Sequence, residues 1–176
     1  MDQYETTAKY NIAETCAASI SVEDLCSFDE EKRSPLSLST KLTYGAIRGS
    51  EKLRSNLARL YSSKAPSPLP PDHVLITNGA IAANFLVLYT LLGPGDHVIS
   101  HYPTYQQLYE VPKSLGADVS LWHAREERGW QLDIDELKSL IKPNTKLLII
   151  KYGSQSSRMH HILTLCVVIR TILPAP

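Results

Sequence analysis

Four short runs of apolar, mostly β-branched residues punctuate the middle of the chain: HVLIT (73–77), DHVISH (96–101), ADVSLW (117–122) and KLLII (146–150). Each has the length of a buried strand and is bounded by turn residues. Between them lie stretches with helical traits, GAIAANFLVLYTLL (79–92), PTYQQLYEVPKSLG (103–116) and DIDELKSLI (133–141). Strand and helix therefore alternate. That order predicts parallel strands joined by right-handed crossovers, with helices on both faces of the sheet. The expected fold class is α/β, a three-layer α/β/α arrangement on a mostly parallel sheet.

Punctuation agrees with this reading. Gly93, Pro94 and Gly95 stop the first helix and reverse the chain, and Asp133 with Glu136 three residues on forms a capping box for the last. Pro112 should kink or shorten the second helical segment. Upstream, SVEDLCSFDEEK (21–32) reads as a short helix begun by Ser21, and GSEKLRSNLARLY (49–61) as a stronger one with Leu53, Leu57, Leu60 and Tyr61 on its inward face. KAPSPLPP (64–71), with four prolines in eight residues, is a stiff connector before the first strand. No internal repeat is present.

Length and composition narrow the classes of function. The 176 residues, 43% hydrophobic and 20% charged, are those of one ordinary globular domain. Eighteen basic and eighteen acidic residues balance to a net charge of zero, so no overall field draws the chain to nucleic acid or an anionic membrane. The first residues, MDQYETTAKY, lack a basic start and an apolar core, and no run approaches the roughly 20 apolar residues that span a bilayer. The expectation is a cytoplasmic chain with no membrane or nucleic-acid partner. Cys16, Cys26 and Cys166 are far apart, without the close pairing that clamps zinc.

Residues 151–176 behave differently. Lys151, Arg158 and Arg170 face no acid there, which leaves the first 150 residues with an excess of three negative charges. A polar stretch, KYGSQSSRMHH, leads into ILTLCVVIRTIL, with nine apolar residues in twelve. This tail reads either as one more buried element or as an exposed adhesive segment.

The junction LITNGAIAANF carries the strongest chemical signal. An apolar strand runs through Asn78, Gly79 and Ala80 directly into a helix. A small-residue turn at a helix N-terminus leaves amides unpaired, lets an anion approach and adds the favourable end of the helix dipole, which suits a phosphate. The turn lacks the Gly-Lys-Ser/Thr ending of a nucleotide loop and the three-glycine dinucleotide fingerprint, which disfavours ATP and NAD. At the carboxyl end of the next strand, ISHYPTYQQLY sets Tyr102 and Tyr105 where ligands of open α/β sheets bind, and an aromatic face there suits a flat ring.

Other groupings are weaker. His97 and His101 in an extended run lie roughly 13 Å apart at about 3.3 Å per residue, too far to share an ion. His160 and His161 have no companion acid or thiol, and Glu126 and Glu127 with Arg125 and Arg128 read as a solvated turn. No metal site and no Ser-His-Asp set is expected.

The ordered segments TYGAIRGSEKLRSNLARLY, VLITNGAIAANFLVLYTLLGPGDHVISHYPTYQQLYEVPKSLGADVSLW and GWQLDIDELKSLIKPNTKLLII resemble the class I/II aminotransferases, pyridoxal-phosphate enzymes of fold type I, over roughly residues 10–150. The resemblance implies a cofactor, pyridoxal 5'-phosphate, a homodimer, and amino-group transfer between an amino acid and a 2-oxo acid. It implies that backbone amides of Gly79, Ala80 and Ile81 hold the cofactor phosphate and that Tyr105 stacks on the pyridine ring. It further implies that Tyr44 reaches the cofactor phosphate of the neighbouring subunit and that NIAETC lines the substrate side. Three parts follow: an N-terminal arm with a short helix (1–40), a partial cofactor-binding large domain (41–150) and a divergent tail (151–176).

After LLII the family continues with an Asn-Pro-rich loop, where this chain reads Lys151-Tyr152-Gly153-Ser154-Gln155. Relatives then supply an Asp for the pyridinium nitrogen, a Tyr for the ring oxygen, the Schiff-base Lys and an Arg for the substrate carboxylate. No position here matches these four. Lys151 stands where the Asn-Pro loop should begin and is not the Schiff-base residue. The expectation is a truncated family member with no catalytic residue of its own, inactive alone, or else a non-catalytic association partner of a full-length aminotransferase.

Overall fold

The computed structural model describes residues 7–10, 19–63, 65 and 67–150. It divides into two compact units, residues 1–44 and 45–176. In the first, helix α1 (Val22–Ser27) is started by a complete capping box, with Ser21 and Asp24 exchanging side-chain and backbone bonds. The helix is shorter than the sequence predicts. Asp29 lies just past its end and binds Arg33 through two charge-assisted bonds of 2.7 and 3.1 Å.

The second unit contains α2 (Glu51–Ser62), α3 (Gly79–Leu91), β1 (His97–Tyr102), α4 (Gln107–Ser114), β2 (Asp118–His123), α5 (Ile134–Leu140) and β3 (Thr145–Ile149). The three strands form one parallel sheet in the order β2-β1-β3. The α/β class and the parallel sheet are as the alternation predicts. Val98, Leu147 and Ile149 are buried with Leu88 and Leu92 at the end of α3 and Leu108 of α4, so α3 and α4 cover one face. Trp122, on the opposite face of β2 from Val119, donates its indole N–H to the carbonyl of Asp133 at 2.7 Å and ties α5 to the other side.

Two expectations are corrected. HVLIT is not a strand: Pro71–His73 form a 3-10 turn, and residues 74–77 take no regular structure and do not join the sheet. Ile76 N–H instead donates to Arg48 O at 3.1 Å, and the Ile76 side chain fills the space over Gly49, whose φ of +92° needs glycine. Ile76 is thereby packed, whereas Leu75 of the same run stays exposed. The inward face of α2 also differs: Leu53, Leu60 and Tyr61 are exposed, while Ala58 is buried. Arg54 docks there, donating to Pro71 O at 2.9 Å and to Asp72 Oδ1 at 3.1 Å, so α2 is seated on the polar carbonyls of the proline-rich turn.

The predicted box at α5 forms by half. Asp133 accepts from the amides of Asp135 and Glu136, whereas the Glu136 carboxylate pairs with Arg125 at 3.0 Å. These two amides, with Arg128 beside them, hold the Asp133 carboxyl below its usual range. Pro112 sits buried within α4, which is confined to eight residues.

One buried polar group spans the sheet. His97, with no exposed surface, lies 2.7 Å from Thr145 Oγ1 through Nδ1 and 2.9 Å from Ser120 Oγ through Nε2, joining β1 to both neighbours. Burial, then the nearby Lys142 charge, push its pKa below 6.5, against a smaller opposing pull from Asp118. Folded protein therefore holds His97 neutral, while unfolded chain takes up the proton near pH 6.5. Stability is level above that pH and falls as pH drops from it toward the lower folded value. We expect the urea midpoint of the full chain to decrease from pH 7.5 to 5.5, and the decrease to shrink in His97→Gln; an unchanged pH slope in the variant counts against this assignment. Asp118, held low chiefly by its bond to Lys142, loses its contribution only in the more acid carboxylate range.

Candidate cofactor site

Chain direction sets the geometry of the site. Helix α3 precedes β1 and α4 follows it, so both helices begin at the carboxyl end of β1. The α3 entry is a tight bend. Gly79 N–H donates to Thr77 O at 2.9 Å, and the Thr77 hydroxyl donates to Gly79 O at 3.0 Å. Asn78 makes no side-chain cap. The Ala80 and Ile81 amides lie in the first turn, where no helical acceptor exists, and they point out of the helix start.

Gly79 has φ +77°, and no atom lies within 4 Å of the position its Cβ would take. The bend is open. That open bend, with amide donors and the positive end of a 13-residue helix, fits a phosphate group. The residues present thus match the phosphate end of the cofactor that the family resemblance implies.

Tyr105 stands between β1 and α4 and is 48% exposed. The two tyrosines of this loop part company. Tyr102 packs edge-on against Tyr109, with centroids 5.9 Å apart, and against His123 at 5.2 Å, so its ring is engaged in internal packing. Thr104 Oγ1, next to Tyr105, is buried without a hydrogen-bond partner among the described residues. Such an orphan costs about 1–3 kcal/mol unless a water or another group reaches it.

A contact invisible in the sequence joins the two halves. Gln107 Nε2 donates to Ile81 O at 2.7 Å, and Gln107 Oε1 accepts from Asn84 Nδ2 at 3.2 Å. Polar residues at a helix start read as solvent-facing, and no spacing rule marks this pair. Tyr44 ends the first unit fully exposed. NIAETC, Lys151 and the tail lie outside the described residues.

A polar groove of about 660 Å³ borders α5, lined by Arg125, Arg128, Asp133 and Glu136 among others. Four of its charges are paired within it, Arg125 with Glu136 and Arg128 with Asp133, and Asp135 is held by Lys138. Among the described residues no His, Cys, Asp and Glu cluster is suited to a metal ion, and no helix is long and apolar enough to cross a membrane.

Residues 27–154 match the family model for aminotransferase class I and II, and the chain belongs to that family. Bovine tyrosine aminotransferase is 31% identical over 113 residues, covering 61% of this chain and 25% of the relative. The aspartate aminotransferase of Sulfolobus acidocaldarius is 32% identical over 111 residues, covering 61% and 27%. Among solved structures, a PLP-dependent aminotransferase from Streptococcus suis is 53% identical with a TM-score of 0.57, over 62% of this chain and 28% of that one. Aspartate aminotransferase from Thermotoga maritima is 27% identical with a TM-score of 0.60, over 65% and 31%. The fold is thus a three-layer α/β/α part of the large domain of a fold-type-I transferase. The chain spans about a quarter of the length of the curated relatives it matches.

Gly79 gives a test of the bend. Because a Cβ there meets open space, Gly79→Ala should cost only the backbone term, about 1–2 kcal/mol for a left-handed residue. Gly79→Asn should cost less, since Asn tolerates that conformation. Equal urea midpoints for wild type and Gly79→Ala would show that the bend is not held in this geometry.

Proposed function

We propose that this chain supplies the phosphate-holding and ring-facing part of the cofactor site of a pyridoxal-phosphate-dependent aminotransferase. The observation that carries the reading is the open, uncapped bend at Gly79, tied by the Gln107–Ile81 bond to the start of the helix that follows Tyr105. On this reading the amides of Ala80 and Ile81 bind the phosphate at the bend whose Gly79 N–H is itself bonded to Thr77 O, and Tyr105 lies against the pyridine ring. Tyr44, fully exposed, is free to reach the phosphate bound by a second subunit of a homodimer. The cofactor, when bound, supplies an aldehyde and an electron-withdrawing ring for amino-group transfer from an amino acid to a 2-oxo acid. The chain's own residues bind and orient it. The parts are an arm at 1–40, the cofactor-binding portion at 41–150 and the tail at 151–176, in a cytoplasmic protein.

We further infer that residues 1–176 do not turn over unaided, since none matches the family's Schiff-base lysine or pyridinium-binding Asp. Pyridoxal phosphate and inorganic phosphate should both shift the amide resonances of Gly79, Ala80 and Ile81 in NMR spectra of the full chain. Borohydride reduction should leave no stoichiometric pyridoxyl-lysine. Unmoved resonances overturn the phosphate assignment, and one stoichiometric adduct overturns the inactivity.

One observation favours a second reading, that of a non-catalytic association partner of a full-length aminotransferase. Ile81, Phe85 and Tyr89 recur along α3 and are all exposed, with Phe85 and Tyr89 stacked at 5.6 Å. Such a stripe suits contact with another protein surface. On this reading the chain co-elutes with a full-length class I/II aminotransferase, and Phe85→Ser with Tyr89→Ser abolishes co-elution. A wild-type chain that elutes alone excludes it.

A further inference from the structure

We propose that Gln107 is a positioning residue of this site, fixing the distance between the phosphate-facing turn at Gly79–Ile81 and the ring of Tyr105. The proposal rests on the cofactor reading above and deepens it. Phosphate donors and aromatic face come from different elements, α3 and the loop before α4. A ligand carrying both a phosphate and a flat ring gains from engaging both only when their spacing is held, because the second contact then forms at high effective concentration.

Gln107 is built for that task. Its amide uses both ends: Nε2 donates to Ile81 O at 2.7 Å and Oε1 accepts from Asn84 Nδ2 at 3.2 Å. The orientation is therefore determined, since the flipped amide would oppose donor to donor and acceptor to acceptor. Ile81 contributes one of the phosphate-facing amides, and Gln107 follows Tyr105 by two residues. The buried apolar contact between the helices involves Leu88, two turns further along α3. At roughly 1.5 Å per residue Leu88 lies about 10 Å from Ile81 along the axis, so core packing leaves the helix starts free to splay. Both hydrogen bonds that join the start of α3 to α4 among the described residues are made by Gln107.

The test uses the full chain with three probes: inorganic phosphate, pyridoxine, and pyridoxine 5'-phosphate, which has no aldehyde to react with surface lysines. Gln107→Met keeps length and removes both bonds. Its affinity for pyridoxine 5'-phosphate should fall about tenfold, while affinity for inorganic phosphate changes less than twofold. Tyr105→Ala should weaken pyridoxine 5'-phosphate binding in wild type and have a smaller effect in Gln107→Met, because the ring contact is already uncoupled. Asn84→Ala, which keeps the bond to Ile81, should act in the same direction more weakly and covers the case in which Gln107→Met fails to fold by circular dichroism. An equal loss for all three probes, or full additivity with Tyr105→Ala, overturns the positioning role. Wild-type chain that binds neither phosphate nor pyridoxine 5'-phosphate overturns the cofactor reading itself, and this proposal with it.

Discussion

The site depends on one constraint: a helix before and a helix after the same strand, packed side by side on one face of a parallel sheet, must both begin at that strand's carboxyl end. Two positive helix ends lying together repel slightly. What holds them is apolar packing against β1 and β3 through Leu88, Leu92, Leu108 and Val98. Burying each such side chain contributes about 1.5–3 kcal/mol, well above the repulsion of two helix termini facing water. The core therefore imposes an electrostatic arrangement that no local preference would choose.

Much of this was legible in the sequence, and the reasons it was are specific. The runs that became β1, β2 and β3 are short and bounded by turns, and the small-residue bend before α3 announces a helix start whatever surrounds it. HVLIT carries the same signal, yet a strand needs a partner as well as apolar residues, and Ile76 finds its partner at Arg48 instead of in the sheet. Tyr102 and Tyr105 look equivalent at three residues' separation. Only the register of β1 with β2, which brings His123 beside Tyr102, distinguishes the packed ring from the half-exposed one. Gln107 was illegible because its partners are 26 and 23 residues away and its type is common on surfaces.

Helix α3 shows the limit of amphipathic reasoning from the other side. Its sequence is apolar around its whole circumference, which marks a helix with more than one face to bury. The described residues cover the face bearing Leu88, while Phe85 and Tyr89 stay 48% and 62% exposed. On the proposed assignment, the same helix offers its start to an anion and its flank to another surface. Family membership gives both features one setting, because α3 belongs to a part of the fold that accounts for about a quarter of the curated relatives.

Magnitudes indicate what such a part can do on its own. A hydrogen bond to a charged group contributes about 1.5–3 kcal/mol, and a helix terminus adds roughly 0.3–1 kcal/mol. Two amides at the Gly79 bend, those of Ala80 and Ile81, together with the helix terminus give about 3–7 kcal/mol of gross attraction, from which the cost of immobilising a ligand is subtracted, so the grip is weak and reversible. An aromatic face at Tyr105 improves this only when phosphate and ring are engaged together. A covalent bond to lysine is the step that turns such a reversible grip into a resident cofactor. On the proposed assignment, then, the non-covalent half of cofactor recognition resides in backbone geometry that folds around β1, and the covalent half is a separate contribution that this geometry neither requires nor provides.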